Sequence, residues 1–82
     1  MAIVRFLGTL RIETQTSEIE VKEKYVDDVL KTVGEQFDNI KYVDLKSAII
    51  FINNKKYKRS LLRKTEIDDK DIMFILFPVA GG

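Results

Sequence analysis

Three features of this chain predict an α+β fold, a mixed sheet of about five strands with one main helix on one face. Apolar runs rich in β-branched and aromatic residues stand near both ends, at 2–8 and 72–77. One stretch between them has helical periodicity: Val26, Val29, Leu30, Val33 and Phe37 recur at i, i+3, i+4, i+7 and i+11. Two more strand-like runs flank that stretch, 17–22 before it and 48–52 after it.

Taken in order, residues 2–8 (AIVRFLG) read as the first strand. Residues 17–22 (SEIEVK) alternate polar and apolar, as a strand buried on one face does. Thr14-Gln15-Thr16 suits a hairpin loop between the two. The helix is expected over 25–37, with Asp27 and Asp28 in the first turn, where the helix dipole favours negative charge. Gly34 weakens its interior by about 1 kcal/mol against Ala. Residues 40–46 fit either another helical turn or a loop. A strand at 48–52 leads to Asn53-Asn54, residues that tolerate the positive φ of a tight turn. Residues 56–59 form a short polar edge strand and 65–71 a turn region. The last strand spans 72–77, and Pro78 ends it. The first and last strands, both strongly apolar, are expected to pair at the centre of the sheet.

The composition excludes several kinds of chemistry. Eighty-two residues make one domain with a small core, too small for a large enclosed active site. The chain has no Cys and no His, so it lacks a thiol nucleophile, thiolate ligands and the commonest general base and metal ligand. If it takes part in chemistry, it is expected to be the thing acted on. A net charge of +1 attracts neither nucleic acid nor membrane overall. No apolar run approaches the roughly 20 residues of a membrane span. Arg5 and Arg11 break the apolar start, unlike a signal peptide, so a cytoplasmic protein is expected.

A sheet covered by one helix has one wet face, so its strands should alternate. Only the second does. Ile49 and Phe51 oppose Ile50 and Ile52, and Ile72, Phe74 and Leu76 oppose Met73, Ile75 and Phe77. One apolar set is therefore left over for the helix-free face, where it would form a partner surface. Ile49, Phe51, Ile75 and Phe77 are the residues assigned to it. Alternatively, residues 38–46 and the loops cover that face.

Residues 1–77 are read as the domain and 78–82 as a tail, Pro78-Val79-Ala80-Gly81-Gly82. The tail follows the last strand without a linker. Glycine lacks Cβ and passes through a channel too narrow for other residues. Such an end is either an ordinary frayed or artificial terminus or a reactive arm with its carboxylate at the tip.

This order of elements, with Phe77-Pro78-Val79-Ala80-Gly81-Gly82 at its end, resembles the ubiquitin-like β-grasp sulfur carriers. The likeness is to the small subunit of molybdopterin synthase (the MoaD type), and more widely to thiamine-pathway carriers (the ThiS type) and archaeal small modifiers. It covers essentially the whole chain. Asn53-Asn54 matches the family's Asn-Gly-type turn, and Asp69-Lys70-Asp71 stands where Asp-Gly-Asp is usual. Phe77 occupies a position that often holds Pro.

The resemblance implies a chemistry. A ubiquitin-activating-type adenylyltransferase (MoeB/ThiF-like) uses ATP to adenylate the Gly82 carboxylate, and the carrier itself binds no cofactor. Sulfur then displaces AMP and leaves a thiocarboxylate. Gly81 gives passage through the partner's channel, Ala80 and Val79 make limited apolar contact there, and Pro78 sets the exit angle. The expected acceptor is the large subunit of molybdopterin synthase or another sulfur acceptor. Transfer to lysine as a protein modifier, tRNA thiolation, thiamine synthesis and a plain interaction domain remain as alternatives.

Other charged stretches have simpler readings. Lys55, Lys56, Lys58, Arg59, Arg63 and Lys64 resemble a nucleic-acid patch, but Lys on an edge strand also discourages edge pairing. No direct nucleic-acid partner is expected. Asp68, Asp69 and Asp71 lack the spacing of a calcium loop, and no metal site is expected.

Overall fold

The computed structural model describes residues 1–59, 62 and 64–78. The apolar runs become strands much as their composition suggests. β1 spans Ala2–Phe6, β2 Glu18–Val21, β3 Ile49–Ile52, β4 Lys55–Lys56 and β5 Ile72–Leu76. They form one mixed sheet in the order β2-β1-β5-β3-β4. β1 pairs antiparallel with β2 and parallel with β5, and β3 pairs antiparallel with both β5 and β4. The first and last strands therefore lie side by side in the interior of the sheet, as expected.

The main helix, α2, spans Val26–Gln36 and buries Val26, Val29, Leu30 and Val33, the stripe read from the sequence. These residues pack on Val4, Phe6, Met73 and Ile75 of the central strands. Phe37 closes one end, its ring edge-on to Phe6 at 5.5 Å between centroids. No side chain caps the start of α2. Instead the Val26 N–H donates to the Thr65 carbonyl at 2.9 Å, and the Ile67 N–H donates to the Lys24 carbonyl at 2.7 Å. The segment before β5 thus satisfies a helix-end donor that would otherwise lack a partner.

The opening connection differs from the expected hairpin loop. β1 and β2 do pair, but a short helix, α1 (Thr9–Thr14), lies between them. Gly8 leaves the strand at φ 60°, a conformation that glycine adopts without strain. Leu10 and Thr14, four residues apart, turn inward, while Ile12 stays 75% exposed. The buried Thr14 hydroxyl donates to the Leu10 carbonyl at 2.9 Å. Gln15, at φ 54°, ends the helix. A helix of six residues is too short for its period to stand out against alternation.

The ambiguous stretch 40–46 contains a single helical turn, α3 (Tyr42–Leu45), with Ile40 and Leu45 buried. It crosses α2 at Gly34. A Cβ on Gly34 would lie 2.8 Å from the Tyr42 backbone nitrogen. Close approach, rather than helix propensity, therefore accounts for glycine at this position.

Asn53 takes φ 56° in the turn after β3, as its composition suggested. Its side chain also ties two turns together. The Asn53 amide donates to Asp71 Oδ1 at 2.9 Å and its oxygen accepts the Ile72 N–H at 3.0 Å. Asp71 Oδ2 accepts the Asp68 N–H at 2.8 Å. That backbone donor, followed by the Asn53 amide, holds the Asp71 carboxyl below its ordinary pKa. The acidic turn is thus a device that anchors the start of β5. Among the described residues no group of three or more acidic side chains is placed to hold a metal ion.

Gly34→Ala is expected to destabilise the protein by about 1–3 kcal/mol, although the same change in an open helix gains about 1 kcal/mol. Denaturant unfolding checks the sign, and a stabilised variant would contradict the close packing of α2 on α3.

Candidate functional site

The helix-free face of the sheet is the candidate site, and strand register determines its membership. Arg5 pairs with Glu18 on one side and Phe74 on the other, Phe74 with Phe51, and Phe51 with Lys56. Paired residues share a face. One continuous row therefore runs across all the strands: Glu18, Arg5, Phe74, Phe51, Lys56. The neighbouring positions are Ile3 beside Ile72 and Leu76 beside Ile49. These apolar residues are half-buried, whereas Ile50, Met73 and Ile75 on the opposite face are buried.

The face is apolar at the centre and charged at both rims. On the β2 rim, Arg5 Nε lies 3.5 Å from Glu18 Oε1, with both side chains about half exposed. Glu20 lies beyond, opposite Ile3. On the β4 rim, Lys56 is exposed. β5 ends at Leu76, and Pro78 stands exposed after it. The chain therefore leaves the domain from an interior strand.

The sequence assigned Ile49, Phe51, Ile75 and Phe77 to the partner surface. Ile49 and Phe51 lie on the open face. Ile75 does not: it pairs with Ile50, faces α2 and is 0% exposed. Phe77 is half-buried and packs against the core. Their places on the open face are taken by Ile72, Phe74 and Leu76, with Ile3 from β1. Because β5 is apolar on both parities, only its register against β3 separates the two sets. Pro78 is exposed, whereas Val79, Ala80, Gly81 and Gly82 lie outside the described residues.

A polar cluster sits on the other side of the molecule. The Tyr42 hydroxyl donates to Asp27 Oδ1 at 2.5 Å. Arg59 Nη2 and Lys31 Nζ lie 3.4 and 3.5 Å from the same carboxylate. Lys31 and Lys46 also stand over the Tyr42 ring, at 5.6 and 5.4 Å. The Tyr42 hydrogen bond, reinforced by the charges of Arg59 and Lys31, lowers the Asp27 pKa. The same hydroxyl, with Asp27, raises that of Arg59. This cluster clamps α2, α3 and the segment after β4. It accounts for part of the basic stretch structurally, as does Lys64, which lies 5.5 Å above the Tyr25 ring. Arg63 lies outside the described residues.

A sheet with one main helix, a half-buried apolar face and a chain leaving from the central strand together make up a ubiquitin-like β-grasp fold. The ThiS family model matches residues 4–82, nearly the whole chain. The chain belongs to the ThiS family.

Solved structures with the same fold include small archaeal modifier protein 1 from Methanosarcina acetivorans, at 26% identity and a TM-score of 0.82, covering 99% of this chain and 95% of that one. A chain of the BexX/CysO complex from Amycolatopsis orientalis matches at 24% identity and a TM-score of 0.74, with full coverage of both chains. A chain from the complex of subunits 1 and 2 of the molybdopterin-converting factor of Helicobacter pylori matches at 21% and 0.66, covering 99% and 97%. No curated protein gives a significant sequence match. Among the described residues no helix is long and apolar enough to cross a membrane.

Two outcomes are expected. Ile75→Ala should cost about 2–5 kcal/mol, and Phe74→Ala clearly less, in denaturant unfolding; the reverse order would invert the two faces. Tyr42→Phe should cost about 1 kcal/mol at neutral pH. Asp27 has a lowered folded pKa, so its contribution is present above the ordinary carboxylate pKa and is lost as pH falls through the folded value. The difference between wild type and Tyr42→Phe should therefore shrink below about pH 3.8, as unfolding midpoints across pH would show.

Proposed function

We propose that this chain is a sulfur carrier whose Gly82 carboxylate is adenylated and converted to a thiocarboxylate. The observation that carries the reading is the family match, which runs through Gly82 and so includes the tail. A carboxylate is a poor acyl donor because its leaving group would be oxide. ATP, used by an activating enzyme of the MoeB/ThiF type, converts it to a mixed anhydride with AMP as leaving group. Sulfide-level sulfur (HS⁻) from a separate donor attacks the acyl carbon and displaces AMP, and the sulfur of the resulting thiocarboxylate is the nucleophile. No Cys or His is required of the carrier, consistent with a chain that has neither. The chain is then a co-substrate rather than a catalyst, working in the cytoplasm.

Five residues, 78–82, extend at most roughly 17 Å. That length lets Gly82 enter a partner's site while Ile49, Phe51, Ile72, Phe74 and Leu76 dock against its outside. Gly81 passes the narrowest point, with Ala80 and Val79 behind it. The proposed acceptor is the large subunit of molybdopterin synthase, placing the carrier in molybdenum cofactor biosynthesis; thiamine synthesis and tRNA thiolation use the same intermediate. A second reading, transfer of the activated carboxyl to lysines, is favoured by the likeness to the archaeal modifier.

Mass spectrometry of the protein from its native host tests the readings. A gain of about 16 Da, sulfur replacing oxygen, supports the carrier. Isopeptide adducts on other proteins support the modifier, and neither product would refute both. In a reaction with ATP and the activating enzyme, Gly81→Val and deletion of Gly82 should each abolish adenylation without unfolding the domain. Normal adenylation of Gly81→Val would end the narrow-channel reading.

A further inference from the structure

We infer that the open face is self-complementary and pairs two copies of this chain face to face, in a dimer that hides the docking surface. The inference rests on the order of residues in the cross-sheet row. Phe74 stands at its middle, on the central strand, with Arg5 and Phe51 on either side and Glu18 and Lys56 at the ends. The row is apolar at the centre, acidic at one end and basic at the other.

Consider a two-fold axis running along β5 in the plane between two stacked sheets. Such an axis reverses the row from left to right and preserves its level along the strands. Glu18 of one copy then faces Lys56 of the second copy, and the reverse holds at the opposite rim. Phe74 meets Phe74 of the second copy on the axis. Arg5 faces the Phe51 ring of the second copy, the arrangement of a cation–π pair. Every residue of the row thus meets a group of suitable chemistry, and one symmetry operation makes both halves of the contact at once. A two-fold axis across the strands would instead place Glu18 on Glu18 and Lys56 on Lys56, so charge selects the first. Aligned face-to-face packing about 10 Å apart is a common arrangement of paired sheets.

Area limits the strength of this contact. Five strands about 4.8 Å apart and about four residues long present roughly 250–320 Å² in projection. Stable complexes bury about 800 Å² on each side. The dimer is therefore weak and exchanges rapidly, and a heterologous partner displaces the second copy from the same residues. It would keep the apolar face out of water while no partner is bound.

Sedimentation velocity of the full-length chain, at low salt and up to about 1 mM, tests the contact. The wild type should dimerise, and added salt should weaken the dimer. Glu18→Lys and Lys56→Glu should each weaken association at least tenfold, because each places like charges together at both rims. An equimolar mixture of the two variants should recover wild-type association, since every rim contact is then of opposite charge. General loss of structure could not produce that rescue.

If Glu18→Lys fails to fold beside Arg5, Phe74→Lys replaces it. That variant sets two cations on the axis and must remain monomeric. A monomeric wild type overturns the proposal and leaves the face to other proteins. A dimer whose variants show no rescue on mixing, or a dimer of Phe74→Lys, overturns it as well. The measurement does not involve the tail, so it succeeds or fails independently of the thiocarboxylate chemistry.

Discussion

Parallel pairing of β1 with β5 is the constraint on which the rest of the molecule depends. Val4 meets Met73, and Phe6 meets Ile75, in the interior of the sheet. Parallel neighbours cannot be joined by a tight turn and need a crossover, and here nearly the whole chain lies between the two strands. α2 belongs to that crossover and covers the face it leaves behind. The flanking strands then add antiparallel to each side of the pair. Because the final strand is interior, held by neighbours on both sides, the chain that follows Leu76 starts from a rigid base. A tail extending from an edge strand would have no comparable anchor.

The same pairing divides the apolar residues between two uses. Ile75 and Met73 have Val4, Phe6 and α2 around them and complete the core. Phe74 and its neighbours have only one another and a charged rim. A domain of this size cannot cover both faces of a sheet with a single helix. It either keeps the second face polar or reserves it for a protein surface. Charge lies mainly on the edge strands here, at Glu18, Glu20 and Lys56, and among the described residues of the face Arg5, on β1, is the charged side chain inside the edges.

Small polar devices hold the loops where the core does not reach. Asn53 and Asp71 anchor the start of β5, the Thr65 and Lys24 carbonyls secure the entrance to α2, and Tyr42 with Asp27 and Arg59 clamps α3. Each joins segments distant in sequence. The charged stretches that looked like candidate ligand sites are spent in part on these joints. Asp71 is committed to backbone and amide donors, and Arg59 to Asp27.

How much was legible depended on whether a feature was local. The α2 stripe, the alternation of β2, the Asn turn and the stop at Pro78 are local, and period, turn chemistry and ring geometry act within a few residues. The chain alone also determined the absence of Cys and His and the tail whose likeness named the family. α1 was hidden because six residues hold too few turns to show a period. The role of Gly34 was hidden because the atom it must admit belongs to Tyr42. The composition of the open face was decided only by tertiary structure. β5 is apolar on both sides, so either parity could face the core. Hydrogen bonding to β1 and β3 sets which side does, and a slip of one residue would exchange Phe74 for Ile75.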